Sequence, residues 1–450
     1  MSVPGSNLSP PPTPPPEMPA SFAEWRFQPI PQAECVEAYR PGGYHPVHFG
    51  DYFHNRRYQV INKLGYGQYS TVWLARDIQV SEFVALKIKT AKDSIDDREV
   101  AVLNHLNTSR ASSIIGSEHV VCLKDSFYHQ GPNGKHLCLV FELLGDNIYS
   151  VLEGYSYETT GSERTLTKFP KPIAKRILKN VLLGLNFLHQ NGVVHGDLQP
   201  GNFLSSIKGL DSLRPADIEV KSQEAADEFE LQEAVVEVER LDGKLDKWAP
   251  KYLAMPQSLV ESDQWPVFPI KISDLGAATL TLEALTAKTP VMPIGLRSPE
   301  LILNSHPLDT YIDIWSFGCL MFEMFVGKKL LAVMPLMPGS NIDNRNDDNL
   351  LQMHQILGPL PENLLVKWTR SGKYFRPGSR EHYNSLIEGP EGIPNLGPNM
   401  EAMIRQAVTE EEEAGVIISL LREMLNYDPL KRPSALEIMK NSFWDDDGET

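Results

Sequence analysis

Short runs rich in β-branched and aromatic residues characterise the chain between residues 58 and 142. Three of them, Tyr58 to Leu64, Thr71 to Arg76 and Phe83 to Lys89, are separated by turn residues. This pattern predicts three strands of an antiparallel sheet. A helix over Asp96 to Leu106 and one more buried strand over Leu137 to Glu142 are predicted to follow.

The second half of the chain has helical periodicity instead. Between Ile173 and His189, apolar side chains recur at intervals of three and four residues, which predicts a long amphipathic helix. Asn191-Gly192 supplies the stop signal for this helix. Further helices are predicted at Asp309 to Val326, Leu350 to Leu357, and Thr409 to Leu425, the last with Thr409 as its N-cap.

Two stretches lack either periodicity. Residues 1 to 32 hold ten prolines, and proline-rich segments favour extended polyproline II, so we expect a mostly disordered tail over residues 1–50. Residues 206–264 are rich in Glu and Asp and interrupt two segments that carry motifs. We predict that they form a surface insert, so that the fold should tolerate deletion of Gly209 to Asp246.

Composition excludes several classes of protein. The 450 residues are 42% apolar and therefore sufficient for a large core, and 58 acidic against 42 basic side chains give a formal charge of -16. That charge disfavours direct binding to nucleic acid or anionic lipid. The four cysteines form no C-x-x-C pair, which argues against a zinc site, and no apolar run approaches the roughly 18 residues of a membrane span. We expect a soluble monomer in the cytoplasm or nucleus that does not bind membranes.

A turn with two glycines and a nearby lysine form the first candidate site. The turn is Leu64-Gly65-Tyr66-Gly67-Gln68-Tyr69-Ser70-Thr71-Val72, and its glycines let backbone N–H groups approach a polyphosphate. Lys87 lies in the otherwise apolar strand Val84-Ala85-Leu86-Lys87, as pairing with α- and β-phosphates requires. Glu99, in the predicted helix, is placed to hold the lysine head.

Two aspartates and an amide form the second candidate site. The stretch Val193-Val194-His195-Gly196-Asp197-Leu198-Gln199-Pro200-Gly201-Asn202-Phe203 is a loop bounded by apolar runs. In it Asp197 can accept the proton of an attacking hydroxyl, and Asn202 can offer an oxygen to Mg²⁺. Asp274, after the apolar run that ends at Ile272, adds a hard carboxylate ligand. Either aspartate alone is more simply interpreted as a turn cap, but together with the glycine turn and the lysine they favour phosphoryl transfer.

This order of motifs resembles the eukaryotic protein kinases from about Tyr58 to Trp444. Ser298-Pro299-Glu300 stands at the family's A-P-E, Asp313-Ile314-Trp315-Ser316-Phe317-Gly318 matches its D-x-W-S-x-G helix, and Lys431-Arg432-Pro433 contains the arginine that pairs with that glutamate. Within the family, the glycine turn with Thr71-Val72-Trp73-Leu74 looks like the SR-protein kinases. The hinge Val140-Phe141-Glu142-Leu143-Leu144-Gly145, Asp274-Leu275-Gly276 in place of D-F-G, and the acidic insert fit the same branch.

The resemblance implies an α+β, bilobal protein kinase fold. A β-rich N-lobe is expected at residues 51–145, a larger helical C-lobe at residues 146–444 that contains the insert, and an acidic tail at residues 445–450. ATP and Mg²⁺ are the implied cofactors, and the implied reaction transfers the γ-phosphate to Ser or Thr in arginine-rich protein segments. Asp347 and Asp348, before a predicted C-lobe helix, are expected to attract such substrates.

The resemblance also assigns the site residues. Asp197, Asn202 and Gln199 would form the catalytic loop, and Asn202 and Asp274 would bind Mg²⁺. The nucleotide contacts it implies are Leu64, Gly65, Tyr66, Gly67, Gln68, Tyr69, Ser70, Val72, Ala85, Lys87, Glu99, Glu142 and Leu144.

Two positions of the catalytic loop depart from the family pattern. Gln199 stands where the family has the lysine that neutralises the γ-phosphate, and loss of such a donor costs roughly 10²- to 10³-fold in rate. Gly196 replaces the arginine that in many kinases receives an activation-loop phosphate. Two alternatives therefore stay open: a pseudokinase scaffold that binds nucleotide, and a small-molecule phosphotransferase, whose catalytic loop resembles His195 to Asn202. Ser298-Pro299-Glu300, the Asp313 helix and Arg432 belong to a peptide platform and favour the protein kinase.

Overall fold

The computed structural model describes residues 13–19, 21–31, 33–152, 168–207, 235–244, 246–259, 269–281, 292–333, 341–375 and 398–445. The chain forms two compact units. Unit 1 comprises Met1–Asn107, Val121–Asp146 and Ser206–Glu261, and unit 2 comprises Thr108–Val120, Asn147–Ser205 and Ser262–Thr450. None of the helices in these described ranges is both long and apolar enough to cross a membrane.

Six antiparallel strands form the main sheet in the described part of unit 1, in the order β1-β2-β3-β4-β6-β5. Alternate side chains of these strands, such as Val60, Trp73 and Leu86, are buried in one core. The predicted strands are present with longer ends, whereas β5 is a strand that the sequence pattern did not indicate. The strands are β1 (Tyr52–Phe53), β2 (Tyr58–Gly67), β3 (Ser70–Asp77), β4 (Glu82–Lys89), β5 (Leu123–Gly131) and β6 (Gly134–Glu142).

The N-terminal segment, which we define as residues 21–31 and 33–50, contributes buried side chains to unit 1, and this corrects the expectation of a mostly disordered tail over residues 1–50. Phe27, Val36, Tyr39 and Tyr44 are buried in one apolar cluster. The same cluster contains Ala249 and Leu253 of the predicted insert. The N-terminal segment therefore packs against a part of the chain that is distant in sequence. Residues 1–12, 20 and 32 of the predicted tail lie outside the described residues.

The second half of the predicted insert is also part of this packing. Strands β9 (Val235–Glu237) and β10 (Tyr252–Ala254) pair, and Trp248, Ala249 and Leu253 are buried. Asp246 accepts a 3.2 Å hydrogen bond from Arg26 of the N-terminal segment. The insert therefore belongs to unit 1 rather than to a C-lobe surface, and deletion through Asp246 would break an ion pair. Residues 208–234, 245 and 260–264 lie outside the described residues.

Unit 2 is mainly helical in its described ranges. The predicted amphipathic helix is α2, and the predicted Asp313 helix is α4, whose C-terminus is capped by Gly327 at φ +77°. The helix predicted from Leu350 begins at Ile342 instead, because Asn341 caps it, and Glu410 rather than Thr409 caps α8. Helix α1 (Arg98–Ser109) lies between β4 and β5 in the chain, and most of it belongs to unit 1. The helices of unit 2 are α2 (Lys171–Gln190), α3 (Pro299–Ile302), α4 (Tyr311–Val326), α5 (Ile342–Ile356), α6 (Glu362–Lys367), α7 (Met400–Ala407), α8 (Glu411–Met424) and α9 (Ala435–Met439) in the described ranges.

Two short antiparallel pairs carry the loops of the second candidate site. β7 (Val193–Val194) pairs with β12 (Thr279–Leu280), and β8 (Phe203–Ser205) pairs with β11 (Ile270–Ile272). The stretch that contains Asp197 therefore leaves β7 and returns at β8, and the stretch that contains Asp274 joins β11 to β12. Because these strands pair, the two loops lie side by side in unit 2.

Candidate active site

Lys87 and Glu99 form an ion pair in unit 1. The Lys87 Nζ lies 2.7 Å from Glu99 Oε1, and Lys89 Nζ lies 3.2 Å from the other carboxylate oxygen. Glu99 is in the first turn of α1 and is buried. A buried carboxylate is stable only when it is paired, so the two lysines of β4 hold the helix to the sheet. The structure thus brings together the two residues that the motif order assigned to each other.

The glycine turn is the hairpin that joins β2 to β3. Gly67 lies opposite Ser70, and the register shifts between Lys63 and Gly65. A Cβ added to Gly65 or Gly67 would meet no heavy atom within 4 Å, and neither glycine has a positive φ. The protein's own packing therefore does not require glycine at these positions. The open space beside the backbone is what close approach of a phosphate group requires, so this turn fits a nucleotide polyphosphate.

The remaining predicted nucleotide residues lie on neighbouring strands of the same sheet. Val72 of β3 is opposite Lys87 of β4, and Ala85 is opposite Phe141 of β6. The Glu142 carboxylate accepts a 2.9 Å hydrogen bond from the Cys122 N–H. The side chain of Glu142, the last residue of β6, therefore joins the end of this strand to the backbone just before β5. Leu144 is buried, Leu64 and Ala85 pack beside a small apolar cluster, and Tyr66 and Tyr69 are exposed.

The catalytic-loop residues predicted from the sequence meet in unit 2. Gln199 Nε2 donates to both carboxylate oxygens of Asp197 at 2.9 Å. Asn202 Nδ2 donates to the Asp197 backbone oxygen at 2.8 Å and to Oδ2 at 3.2 Å. Burial raises the pKa of the Asp197 carboxyl, with a further increase from the charge of Asp274, against the opposing effects of His195 and the two amides. The result is a carboxylate with a fixed orientation and an increased proton affinity.

A carboxylate in the core of unit 2 fixes the backbone of this loop. Asp313 of α4 accepts hydrogen bonds from the His195 N–H at 2.8 Å, the Gly196 N–H at 2.9 Å and His189 Nε2 at 3.0 Å. Burial alone would raise the pKa of Asp313, but the bond to His189 and the neighbouring histidines hold it below its usual value. Sequence reasoning had assigned Asp313 only to a helix motif and had missed His189, the last-turn histidine of the amphipathic helix.

The local backbone conformation explains why position 196 is a glycine. Its φ is +76°, and a Cβ at this position would lie 3.1 Å from the Ala277 backbone oxygen. A side chain here would therefore be strained, since L residues rarely adopt this backbone conformation. Next to it, the buried His195 ring lies 3.0 Å from the Ser273 carbonyl oxygen through Nε2 and accepts the Asp197 N–H at Nδ1. Glycine at position 196, where the family has an arginine, therefore avoids this backbone strain.

Asn202 and Asp274 lie on the two paired loops. The Ser273 N–H donates to the Asn202 backbone oxygen at 2.8 Å. Because the Asn202 amide N–H₂ group is engaged with Asp197, its carbonyl oxygen is the atom left for a cation. Asp274 adopts a left-handed backbone conformation, with φ 55°. A side-chain amide oxygen and a carboxylate are hard donors that fit Mg²⁺. In the described part of the chain no group of three His, Cys, Asp or Glu residues is arranged to hold a metal, so phosphate or water oxygens would complete the shell.

Glu300 and Arg432 form a buried bidentate ion pair in unit 2. The Arg432 Nη1 and Nη2 atoms lie 2.6 and 2.8 Å from the two Glu300 oxygens. Arg432 also donates to the Tyr311 backbone oxygen at 2.9 Å and lies over the Trp315 ring, 5.0 Å from its centroid. The pair joins α3 to the first turn of α4, as the motif resemblance implied for these two residues.

Asp347 is not placed to attract a substrate, which corrects the expectation from the sequence. It is buried on α5 and accepts hydrogen bonds from Trp368 Nε1 at 2.7 Å and the Tyr374 hydroxyl at 2.8 Å, while Arg370 Nη2 lies 2.8 Å away. Asp348 accepts from Gln352, and burial raises the pKa of its carboxyl. The Asp347 carboxylate is therefore neutralised and hydrogen-bonded by residues of unit 2.

The chain is similar to known proteins over most of its length. Residues 58–237 and 257–444 match the protein kinase domain model. The chain is 31% identical over 419 residues to the serine/threonine-protein kinase SRPK of Physarum polycephalum, a match that covers 92% of this chain and 91% of that protein. It is 29% identical over 484 residues to the protein kinase dsk1 of Schizosaccharomyces pombe, with 91% and 84% covered.

A solved structure supports the fold. The crystal structure of a kinase domain aligns with a TM-score of 0.59 and 21% identity, and the alignment covers 89% of this chain and 99% of that one. The sheet of unit 1 and the helices of unit 2 correspond to the small and large lobes that the motif order predicted.

Proposed function

Since the chain belongs to the protein kinase family, in the branch of the SR-protein kinases, and is an ATP-dependent serine/threonine kinase, we propose roles for its residues and a substrate class. Asp197 positions the acceptor hydroxyl and takes its proton. The acceptor is a serine or threonine in an arginine-rich protein segment. We also propose a monomer that acts in the cytoplasm or nucleus.

The geometry of Asp197 carries the proposal. Amide N–H groups from Gln199 and Asn202 hold its carboxylate, and burial raises its pKa, so it is a better proton acceptor than an exposed aspartate. The buried Asp313 fixes the backbone on the N-terminal side of Asp197. Such a preorganised carboxylate orients a hydroxyl without reorganising during the reaction.

Other residues of the chain would bind and orient the nucleotide. MgATP supplies the phosphoryl group that is transferred and the cation that neutralises its charge. Lys87, held by Glu99, would contact the phosphates, and the turn of Gly65 and Gly67 would offer its backbone N–H groups. Asn202 and Asp274 would hold the Mg²⁺. Val72 and Ala85 would cover the base, and Glu142 and Leu144 would present their backbone groups to its edge.

Gln199 favours a second candidate function. Its amide contributes two hydrogen bonds to Asp197 but no positive charge, so the transferred group lacks the cation that the family places there. A nucleotide-binding scaffold without transfer is therefore the alternative. The supported carboxylate of Asp197 favours transfer, at a rate lowered by the missing cation.

The substrate class is supported by charge and by the resemblance to the SR-protein kinases. The chain carries a formal charge of -16, which raises the encounter rate with a cationic peptide in a salt-sensitive way. Because Asp347 is engaged within unit 2, this attraction comes from the overall field and not from that carboxylate.

Labelled-ATP transfer to matched peptides tests the proposal. Arg-Ser, Lys-Ser and acidic-Ser peptides are compared at low and moderate salt, with Asp197→Asn as the control for background incorporation. We expect the highest kcat/KM for Arg-Ser and a decrease with added salt. Equal kcat/KM for all three peptides would refute the substrate class. Absence of transfer to a mixed basic library, together with a MgATP-dependent rise in Tm, would establish the scaffold instead.

A further inference from the structure

The Tyr44 hydroxyl contacts the tip of the glycine turn. It lies 2.7 Å from the Gly67 carbonyl oxygen and 3.3 Å from that of Gln68, and the hydroxyl is the donor because both partners are carbonyl oxygens. Tyr44 belongs to the packed N-terminal segment of unit 1 and precedes the residues matched by the kinase model, which begin at residue 58. The contact therefore links a segment outside the recognised domain to the proposed phosphate loop.

The direction of these carbonyl groups determines the direction of two N–H groups. In a trans peptide the C=O and the following N–H point in opposite directions, and the described residues contain no cis peptide bond. With the Gly67 and Gln68 carbonyls directed at Tyr44, the N–H groups of Gln68 and Tyr69 point away from it. Neither N–H donates to an acceptor within the described residues. They are thus aligned donors with no partner in that part of the protein.

Tyr44 is itself held firmly. Asn133 Nδ2 donates to the Tyr44 backbone oxygen at 2.6 Å and to the Trp248 backbone oxygen at 2.8 Å, so one amide ties the N-terminal segment to the described part of the insert. The Tyr39 ring packs 5.4 Å from the Tyr44 ring, centroid to centroid. Burial raises the pKa of the Tyr44 hydroxyl above its usual value of 10.0, so the hydroxyl keeps its proton and remains a donor under physiological conditions.

We propose that Tyr44 is a positioning residue for the nucleotide phosphates, which holds the Gly67 and Gln68 carbonyls so that the Gln68 and Tyr69 N–H groups are oriented for phosphate oxygens. This inference rests on the proposed role of the glycine turn and adds a residue that no kinase motif contains. Preorientation lowers the entropic cost of ordering the turn when a polyphosphate binds. This gain in affinity should apply to ligands that carry phosphates, such as MgATP, and not to adenosine, which has none.

Tyr44→Phe tests the proposal, because it keeps the buried ring and removes the donor. Tyr252→Phe is the matched control: the Tyr252 hydroxyl accepts the Phe49 N–H of the same segment at 2.9 Å, and no hydrogen bond in the described residues links it to the turn. Dissociation constants for MgATP and for adenosine are measured by calorimetry on the full chain. We expect Tyr44→Phe to weaken MgATP about fivefold, the net worth of one hydrogen bond, and to leave adenosine unchanged. Tyr252→Phe should change neither.

The same variants are compared without nucleotide by NMR relaxation of the backbone N–H groups, which reports how well an unbonded N–H is oriented. Tyr44→Phe should lower the order parameters of the Gln68 and Tyr69 N–H groups, and Tyr252→Phe should not. Unchanged MgATP affinity, equal weakening of MgATP and adenosine, or unchanged order parameters would overturn the proposal. If the wild-type chain bound no MgATP, the proposed nucleotide site would fail, whereas the order parameters would still decide whether Tyr44 orders the turn.

Discussion

The glycine turn of unit 1 and the loop of Asp197 in unit 2 are supported in different ways. In unit 2, the catalytic loop rests on Asp313, a buried carboxylate of a core helix that accepts three hydrogen bonds. In unit 1, the glycine turn is an exposed hairpin whose tip accepts hydrogen bonds from the Tyr44 hydroxyl of the N-terminal segment and from the Thr90 N–H. The support of the catalytic loop lies within the residues matched by the kinase model, and the support of the turn lies before them.

The difference separates chemistry from nucleotide affinity. Under the proposed roles, a change in the core of unit 2 alters the group that orients the acceptor hydroxyl, whereas a change in the accessory segments of unit 1 alters how readily the turn is ordered. Phosphate transfer should therefore respond most to residues of unit 2, and MgATP binding most to residues of unit 1.

The largest effect is expected for Asp197→Asn. Without the carboxylate the acceptor proton has no base, so transfer should fall by roughly 10³-fold or more, while Asn202 and Asp274 remain to bind the metal. Initial rates of labelled phosphate transfer measure the loss. The MgATP-dependent rise in Tm should persist. A parallel loss of both would contradict the assignment of chemistry to this loop.

Lys87→Met should act on binding in unit 1. Loss of the cation beside the phosphates should lower kcat/KM by roughly 10²-fold and reduce the MgATP-dependent shift in Tm. Lys89→Met is the matched control, because Lys89 lies on the same strand and pairs with the same Glu99 carboxylate. Equal losses in the two variants would show that only the ion pair matters and that the nucleotide binds elsewhere.

Gln199→Lys should have a smaller and opposite effect. It replaces the amide at Asp197 by a cation, which should raise kcat roughly tenfold if the missing charge limits transfer. Single-turnover rates at saturating MgATP measure it, with Gln199→Met as the neutral control. A slower lysine variant would mean that another cation already serves the transferred group.

The smallest effect is on stability and comes from three histidines in unit 1. His45 of the N-terminal segment packs 4.6 Å from His129 and 5.0 Å from His136, centroid to centroid, with Asp51 and His48 nearby. Burial lowers the pKa of His45 to about 2 and lowers the pKa values of the other two. The folded state therefore binds fewer protons than the unfolded state, and stability present above about pH 6.5 is lost as the pH falls.

Asp313 responds in a different pH range. Its pKa is held below the usual value of 3.8, so its contribution persists until the pH falls below that value. Between pH 7.5 and 5.5 we expect Tm to drop by a few degrees through unit 1, with His45 as the largest contributor at about 1 kcal/mol over this range. His45→Phe should flatten this dependence in calorimetric scans, and an unchanged slope would exclude His45 as its source.

Local patterns were sufficient for the longer elements but not for all of them, since β1, β5, β9 and β10 were not predicted. Hydrophobic residues repeat every two positions in a half-buried strand and every 3.6 positions in an amphipathic helix, so a short stretch of sequence is enough to reveal either. This periodicity predicted strands β2, β3, β4 and β6 and helices α2 and α4. The N-terminal segment and the insert could not be predicted in this way. Phe27 of the N-terminal segment and Leu253 of the insert are buried in the same apolar cluster, although they are far apart in the chain. The sequence of either segment alone therefore does not show which segment it packs against.

The motifs predicted which site residues meet but not what surrounds them. Lys87 with Glu99 and Glu300 with Arg432 were expected as pairs and lie in contact. Asp347 was misjudged because its partners, Trp368, Arg370 and Tyr374, lie 21 to 27 residues further along the chain. Tyr44 was missed because nothing in a sequence shows where a hydroxyl finds its acceptor.

The Glu300 and Arg432 pair also bears on how the polypeptide is made. The ribosome completes Glu300 132 residues before Arg432. Until the later residue emerges, burial of the Glu300 carboxylate would leave it without its counter-ion, at a cost of several kcal/mol. The nascent large lobe must therefore keep this carboxylate hydrated during synthesis, and it can close its core around α4 only after translation has passed residue 432.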